Sequence, residues 1–122
     1  MWRDGLFFKL INLIEDSIWR ILYKYYSLSK ICIKFYKKTP LSAPFLISEG
    51  VKQGGKLSSH LFNLYINDLI DDCKILNLGA KIGNFNVSII AYCDDIILLS
   101  PLSNHLQHLL NKIHEYSILW KN

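Results

Sequence analysis

Cysteine is scarce in these 122 residues. The three present, Cys32, Cys73 and Cys93, stand far apart with no CxxC spacing. That excludes a disulfide framework and a cysteine-built zinc site. No uninterrupted apolar run is long enough for a signal peptide or a membrane span, and the most apolar stretch, Val87 to Leu99, is split by two aspartates. There is no internal repeat. Charge of one sign is also modest: 14 Lys and Arg against 10 Asp and Glu leave +4, which permits a polyanionic partner without demanding one. With 51% hydrophobic and 20% charged residues, a disordered tail is excluded and one compact domain over 1–122 is expected. These absences predict a soluble protein of a reducing, intracellular compartment, nuclear or cytoplasmic, not secreted. Asn86-Val87-Ser88 matches a glycosylation sequon, which carries no meaning without secretion.

What is present is periodicity. Leu6, Leu10, Leu13 and Ile14 predict a short helix capped by Asp4. A second helix restarts at Asp16 or Ser17, with Ile18, Ile21, Leu22 and Tyr25 as its apolar stripe. Ile31, Ile33 and Phe35 alternate with Cys32, Lys34 and Tyr36, and Phe45 to Ser48 reads as a return strand, so this segment predicts a hairpin with a long, Pro-bearing loop. Glu49 to Lys56 is a Gly-rich loop. A helix from Ser58 to Cys73, apolar at Phe62, Ile66, Leu69 and Cys73 and again at Leu57, Leu61 and Leu64, is expected to be buried. Gly83-Asn84 marks a reversal. Val87 to Tyr92 and Ile96 to Leu99 are short apolar strands, and Ser100-Pro101 opens a final amphipathic helix through Trp120. Hairpins mixed with helices, with no βαβ rhythm, point to an α+β fold.

Two features carry chemistry. Asp94 and Asp95 stand side by side between strands expected to be buried. Adjacent carboxylates repel unless water or a cation neutralises them. Magnesium uses one or two carboxylates plus substrate phosphates, and a pair of ions serves phosphoryl transfer. On the dipeptide alone, an ordinary Asp-rich turn explains the pair as well. The second feature is Gly50-Val51-Lys52-Gln53-Gly54-Gly55-Lys56-Leu57-Ser58, running into Leu61-Phe62-Asn63-Leu64-Tyr65-Ile66-Asn67-Asp68-Leu69. Glycines let a backbone approach a ligand, a helix amino terminus offers N–H groups to an anion, and Gln53 can donate and accept toward a base. A flexible loop before a capped helix is the plain alternative.

In this order, about forty residues apart, the two segments resemble the reverse transcriptase domain of non-LTR (LINE-like) retrotransposons. There a Gly-Val-Arg-Gln-Gly loop leads into a Leu-Phe-Asn-Leu-Tyr-Ile-Asn-Asp-Leu helix, and an aromatic-x-Asp-Asp hairpin follows, here Tyr92-Cys93-Asp94-Asp95. Trp2-Arg3-Asp4-Gly5-Leu6 looks like the segment just after the family's first catalytic aspartate. The resemblance implies a polymerase palm, with a small antiparallel sheet packed on helices, as a partial domain truncated at both ends. It implies that Asp94 and Asp95 are catalytic and bind two Mg2+ ions, with Mn2+ as an alternative. By the same resemblance Gln53 and Gly54 line the nucleotide and template pocket, Tyr92 and Cys93 lie beside the primer end, and Lys52 contacts a backbone phosphate. The implied partners are an RNA template, a DNA primer and deoxynucleotide triphosphates, with no membrane and an undetermined oligomeric state. The family's pattern has proline where Lys56 and Ser59 stand and often cysteine at Gly55, so this loop is expected to be looser. An upstream aspartate, fingers and thumb have no counterpart in this length, so the resemblance implies RNA-directed DNA synthesis only within a complete polymerase. The rival reading is a non-catalytic nucleic-acid-binding or interaction module kept from such an element.

Three further groups carry plainer readings. His105, His108 and His114 read as a solvated helix face rather than a zinc site, and Asp68, Asp71 and Asp72 as solvated acids. Tyr23, Tyr25, Tyr26 and Tyr36 among Lys24, Lys30, Lys34, Lys37 and Lys38 suit stacking and phosphate contact. Half-buried rings under snorkelling lysines explain the same stretch.

Overall fold

In a computed structural model, residues 1–37, 40–92 and 94–120 are described. They form helices and two-stranded antiparallel ladders, an α+β arrangement, in two compact units, 1–52 and 53–122.

The first unit begins with α1 (Arg3–Leu10) and α2 (Asp16–Ser27). Trp2, not Asp4, is the N-cap of α1; the Leu6 N–H donates to the Trp2 carbonyl, and Asp4 sits in the first turn. Leu6, Phe7 and Leu10 are buried, whereas Leu13 is exposed beyond the helix end. The buried face of α2 differs from the expected stripe. Tyr26 is buried, and Phe7 receives Trp19, Tyr23 and Tyr26 edge-on at centroid distances of 5.9, 5.1 and 6.0 Å. Trp19 Nε1–H also donates to the Phe7 carbonyl (2.9 Å). Aromatic pairs of this geometry add about 0.5–1.5 kcal/mol beyond their buried area. Of the expected stripe Leu22 is half-buried, and Ile18, Ile21 and Tyr25 are exposed. The expected hairpin is present but short: β1 (Lys30–Ile31) pairs with β2 (Phe45–Leu46), Lys30 opposite Leu46. Ser42 pins the long connection, its Oγ accepting from the Ile33 N–H (2.8 Å). Ile31, Ile33 and Phe35 alternate with Cys32, Lys34 and Tyr36 as a strand would, yet all six are exposed, and the ladder stops at Ile31.

The second unit is built on α3 (Ser58–Ile75) and α4 (Ser103–Trp120). Between them run β3 (Lys81–Ile82), β4 (Phe85–Asn86), β5 (Ile89–Tyr92) and β6 (Asp95–Leu98). Leu61, Tyr65, Ile66, Leu69 and Cys73 make the buried stripe of α3, while Leu57 is exposed. Leu69 and Cys73 join Ile89, Leu109 and Tyr116 in one core, with Ile96, Leu98 and Ile113 packed against it. Each such aliphatic side chain, fully buried, contributes roughly 1.5–3 kcal/mol. Hydroxyls tie the two long helices: Tyr65 Oη–H donates to the Trp120 carbonyl (2.8 Å), and Tyr116 Oη–H to the Tyr65 carbonyl. Gly83-Asn84 does reverse the chain between β3 and β4. The final helix begins at Ser103 rather than at Pro101. Ser100 Oγ accepts from the Leu102 N–H (3.1 Å) in a preceding turn, and the Leu106 N–H donates to the Leu102 carbonyl.

Candidate functional site

The β5–β6 hairpin sets the position of the acidic pair. Its register places Ile89 opposite Leu98, Ile90 opposite Ile97, Ala91 opposite Ile96 and Tyr92 opposite Asp95. Alternation then divides the side chains. Ile89, Ile96 and Leu98 turn to the core, and Ile90, Tyr92, Asp95 and Ile97 share the other, exposed face. The strands are therefore covered on one side only, not buried on both as expected. Tyr92 is 79% exposed, directly across from Asp95. Asp94 lies in the reversal itself and is exposed. Among the described residues no hydrogen bond or ion pair engages the Asp94 or Asp95 side chain, so their oxygens are open to a ligand. No group of three or more His, Cys, Asp or Glu residues is arranged for a metal among the described residues. Cys93, expected beside Tyr92, lies outside the described residues.

The Gly-rich loop owes its path to two left-handed glycines, Gly50 (φ +72°) and Gly54 (φ +74°). Gln53 and Gly54 form an exposed turn, and the Gly55 carbonyl accepts from the Ser58 N–H (3.0 Å) as α3 begins. Lys52 belongs to the first unit, where its Nζ sits 3.6 Å from the centre of the Tyr25 ring. The hairpin register thus brings Tyr92 and Asp95 together with Asp94, and no hydrogen bond joins Gln53 or Gly54 to them among the described residues.

Other groups settle into structural roles. His105 is half-buried and its Nδ1 accepts from the Gly79 N–H (3.4 Å). His108 and His114 are exposed. The helix acids are exposed but engaged: Asp72 pairs with Lys112 (3.4 Å), Asp71 accepts from Asn67 (2.8 Å), and Asp68 accepts from Tyr116 (3.3 Å). Burial, then the negative charge of Asp68, pushes the Tyr116 hydroxyl well above its ordinary range. Burial pushes the Cys73 thiol up as well, with Asp72 adding to the effect.

Two residues, one in each unit, were not singled out by pattern. Arg3 is buried, and its guanidinium donates to the carbonyls of Gly50 (2.7 Å), Tyr26 (3.0 Å) and Ile47. It thereby ties the start of the Gly-rich loop to α1 and α2. Gly79 (φ +86°) packs so closely that a Cβ there would overlap Ser88 Cβ and lie 2.7 Å from the Leu99 carbonyl oxygen. That close approach seats the base of the hairpin, where the Ala80 N–H donates to Leu99 and the Leu99 N–H to Ser88.

Residues 2–121 match the family model described as reverse transcriptase (RNA-dependent DNA polymerase). The chain belongs to the reverse transcriptase family. Within that family it is similar to two curated proteins of R2 elements. One is the retrovirus-related Pol polyprotein from type-2 retrotransposable element R2DM of Drosophila melanogaster, 37% identical over 75 residues, which cover 62% of this chain and 7% of that protein. The other is the retrovirus-related Pol polyprotein from type-1 retrotransposable element R2 of Popillia japonica, 38% identical over 56 residues, 43% of this chain and 8% of that protein. This reverse transcriptase chain therefore spans less than a tenth of the length of either relative. No solved structure matches it. The non-LTR identity expected from the Gly-rich loop, the helix after it and the Asp-Asp hairpin is borne out. No helix among the described residues is long and apolar enough to cross a membrane.

Proposed function

We propose that this reverse transcriptase chain is part of a polymerase palm and contributes Asp94 and Asp95 to RNA-directed DNA synthesis by two-metal nucleotidyl transfer. The observation that carries the reading is the tight β5–β6 hairpin, which presents both carboxylates to solvent with no protein partner among the described residues. Hard oxygen donors of this kind suit Mg2+, or Mn2+ in its place. Asp94 and Asp95 would hold such ions, which, when bound, supply charge neutralisation at the attacking hydroxyl and the leaving phosphate oxygen. The chain's own residues do the positioning. The exposed Tyr92 ring offers the primer end a surface beside Asp95. Gln53 and Gly54 offer hydrogen bonds and close backbone approach to nucleotide and template, and Lys52 offers a charge to a backbone phosphate.

Two carboxylates are fewer than a complete polymerase site needs, and charge placement supplies most of the catalysis in phosphoryl transfer. The 122-residue chain alone is therefore inactive, and synthesis belongs to a longer polymerase that supplies a further carboxylate and the triphosphate contacts. Primer extension on an RNA template tests this. The chain alone should add no nucleotide. A full-length polymerase of this family carrying residues 1–122 should extend in Mg2+ and lose at least ~1,000-fold in rate with Asp94→Asn. Extension by the 122 residues alone, or retained activity in Asp94→Asn, overturns the proposal.

A further inference from the structure

Three segments that lie apart in the sequence converge on one buried side chain. The Arg3 guanidinium donates through Nε to the Gly50 carbonyl (2.7 Å), and through one terminal nitrogen to the carbonyls of Tyr26 (3.0 Å) and Ile47. It also stands over the Tyr26 ring, 5.4 Å from its centre. Every one of these acceptors is a main-chain oxygen, so the arginine holds peptide planes. All four residues belong to the first unit.

The bond to Gly50 differs in kind from the other two. Tyr26 lies within α2, and Ile47 continues β2, its own N–H donating to the Ser29 carbonyl (3.1 Å). Regular structure already aims those two carbonyls. Gly50 lies outside every helix and strand, with φ +72°. A glycine exchanges left- and right-handed conformations at little cost, and the exchange turns the peptide plane that follows it. Up to Gly50 the chain is tied: Trp2 bridges Glu49, and the Gly50 N–H donates to the Met1 carbonyl (3.0 Å). The next plane, between Gly50 and Val51, is held by Arg3 Nε. Arginine suits the task because its rigid fork serves several acceptors in fixed directions, whereas a lysine ammonium is a single point.

We propose that Arg3 is a positioning residue for nucleotide addition: by holding the plane after Gly50 it sets the direction in which the Gly-rich loop leaves for Lys52 and Gln53. The inference rests on the reading that Gln53 and Gly54 meet the nucleotide and template. Those residues follow Gly50 by three and four positions, so a turned plane displaces them, and a displacement of about 1 Å costs on the order of 100-fold in a positioned reaction.

Two measurements test it. The first is amide hydrogen exchange of the 122-residue chain. Arg3→Lys should speed exchange over residues 49–52 by about tenfold or more and leave residues 61–73 of α3 unchanged. The second is steady-state primer extension on an RNA template by a full-length polymerase of this family carrying residues 1–122. Arg3→Lys should raise KM for the deoxynucleotide about tenfold or more, with kcat changed less than about threefold. A merely structural loss would shrink the active fraction, lowering kcat at constant KM. Gly50→Ala carries the same test where the arginine variant fails to fold. Its Cβ would meet nothing within 4 Å, yet it disfavours the positive φ, so it too should raise KM. Gln53→Ala separates the two ideas. A raised KM there beside an unchanged KM in Arg3→Lys and Gly50→Ala overturns the inference alone. An unchanged KM in Gln53→Ala overturns the nucleotide reading of the loop, and the inference with it. Unchanged exchange over residues 49–52, or a fall in kcat at constant KM, also overturns the inference.

Discussion

Arg3 and Gly79 fix the local architecture of their units through contacts that no sequence window contains. Arg3 reaches carbonyls 23, 44 and 47 residues away. In the sequence it is one cation in a Trp-Arg-Asp-Gly run near the amino end, where an exposed side chain is the ordinary outcome. The guanidinium fork can serve several acceptors at once, which explains arginine at a buried site without a carboxylate. Gly79 likewise owes its role to the close approach of Ser88 and Leu99, which are 9 and 20 positions further along the chain. Gly79→Ala combines left-handed strain of about 1–2 kcal/mol with overpacking of about 1–3 kcal/mol. Urea unfolding of the variant should show destabilisation by about 3 kcal/mol or more, and a value below about 1 kcal/mol would mean that the strand base yields easily.

Elements were legible in kind and less so in extent. Every predicted helix exists, α3 nearly to the residue, because its apolar positions recur over 18 residues. The hairpins also form where turn chemistry marked them. Burial was the weak inference. Periodicity reports which residues share a face and not whether anything covers that face, so the outer side of β5–β6 was expected to be buried and is not, and Ile18, Ile21 and Tyr25 of the α2 stripe stay exposed. The α3–α4 pair has a pH signature. Tyr116 is held neutral in the folded state, its pKa raised above the ordinary 10.0, and the Cys73 thiol is raised above 9.0 in the same core. Above those ordinary values the unfolded chain releases protons that the folded chain keeps, so stability is intact below about pH 9 and falls as pH rises beyond it. Denaturant midpoints across about pH 8 to 11.5 should decline most steeply above about pH 10. Tyr116→Phe should flatten that part of the decline, at a cost near neutral pH of about 1–2 kcal/mol for the missing hydroxyl bonds.

For the molecule as a whole, 51% hydrophobic content looked sufficient for one well-covered core. The structure instead leaves 28 large hydrophobic residues exposed among the described residues, spread over both units. Where such residues are neighbours, as Ile21, Tyr25 and Leu28 are on one face of α2, they form an apolar patch that favours association. The purified chain should enhance ANS fluorescence under native conditions and self-associate as concentration rises in size-exclusion chromatography; a monomer with no dye response would contradict this. The acidic pair was legible because its pattern is local, two acids and an aromatic within four residues. The relation of the Gly-rich loop to that pair is a property of tertiary placement, which spacing along a chain does not encode. A last consequence rests on counting. Only two positions separate Tyr92 from its cross-strand partner Asp95, and a pleated strand alternates sides with every residue. Length changes in this reversal are thus governed by parity: one extra residue there, if taken up by a shift of pairing, would carry Asp95 inward and expel Ile96 and Leu98. The acid and the core thus share a single register, and an added residue spares both only where the turn itself absorbs it.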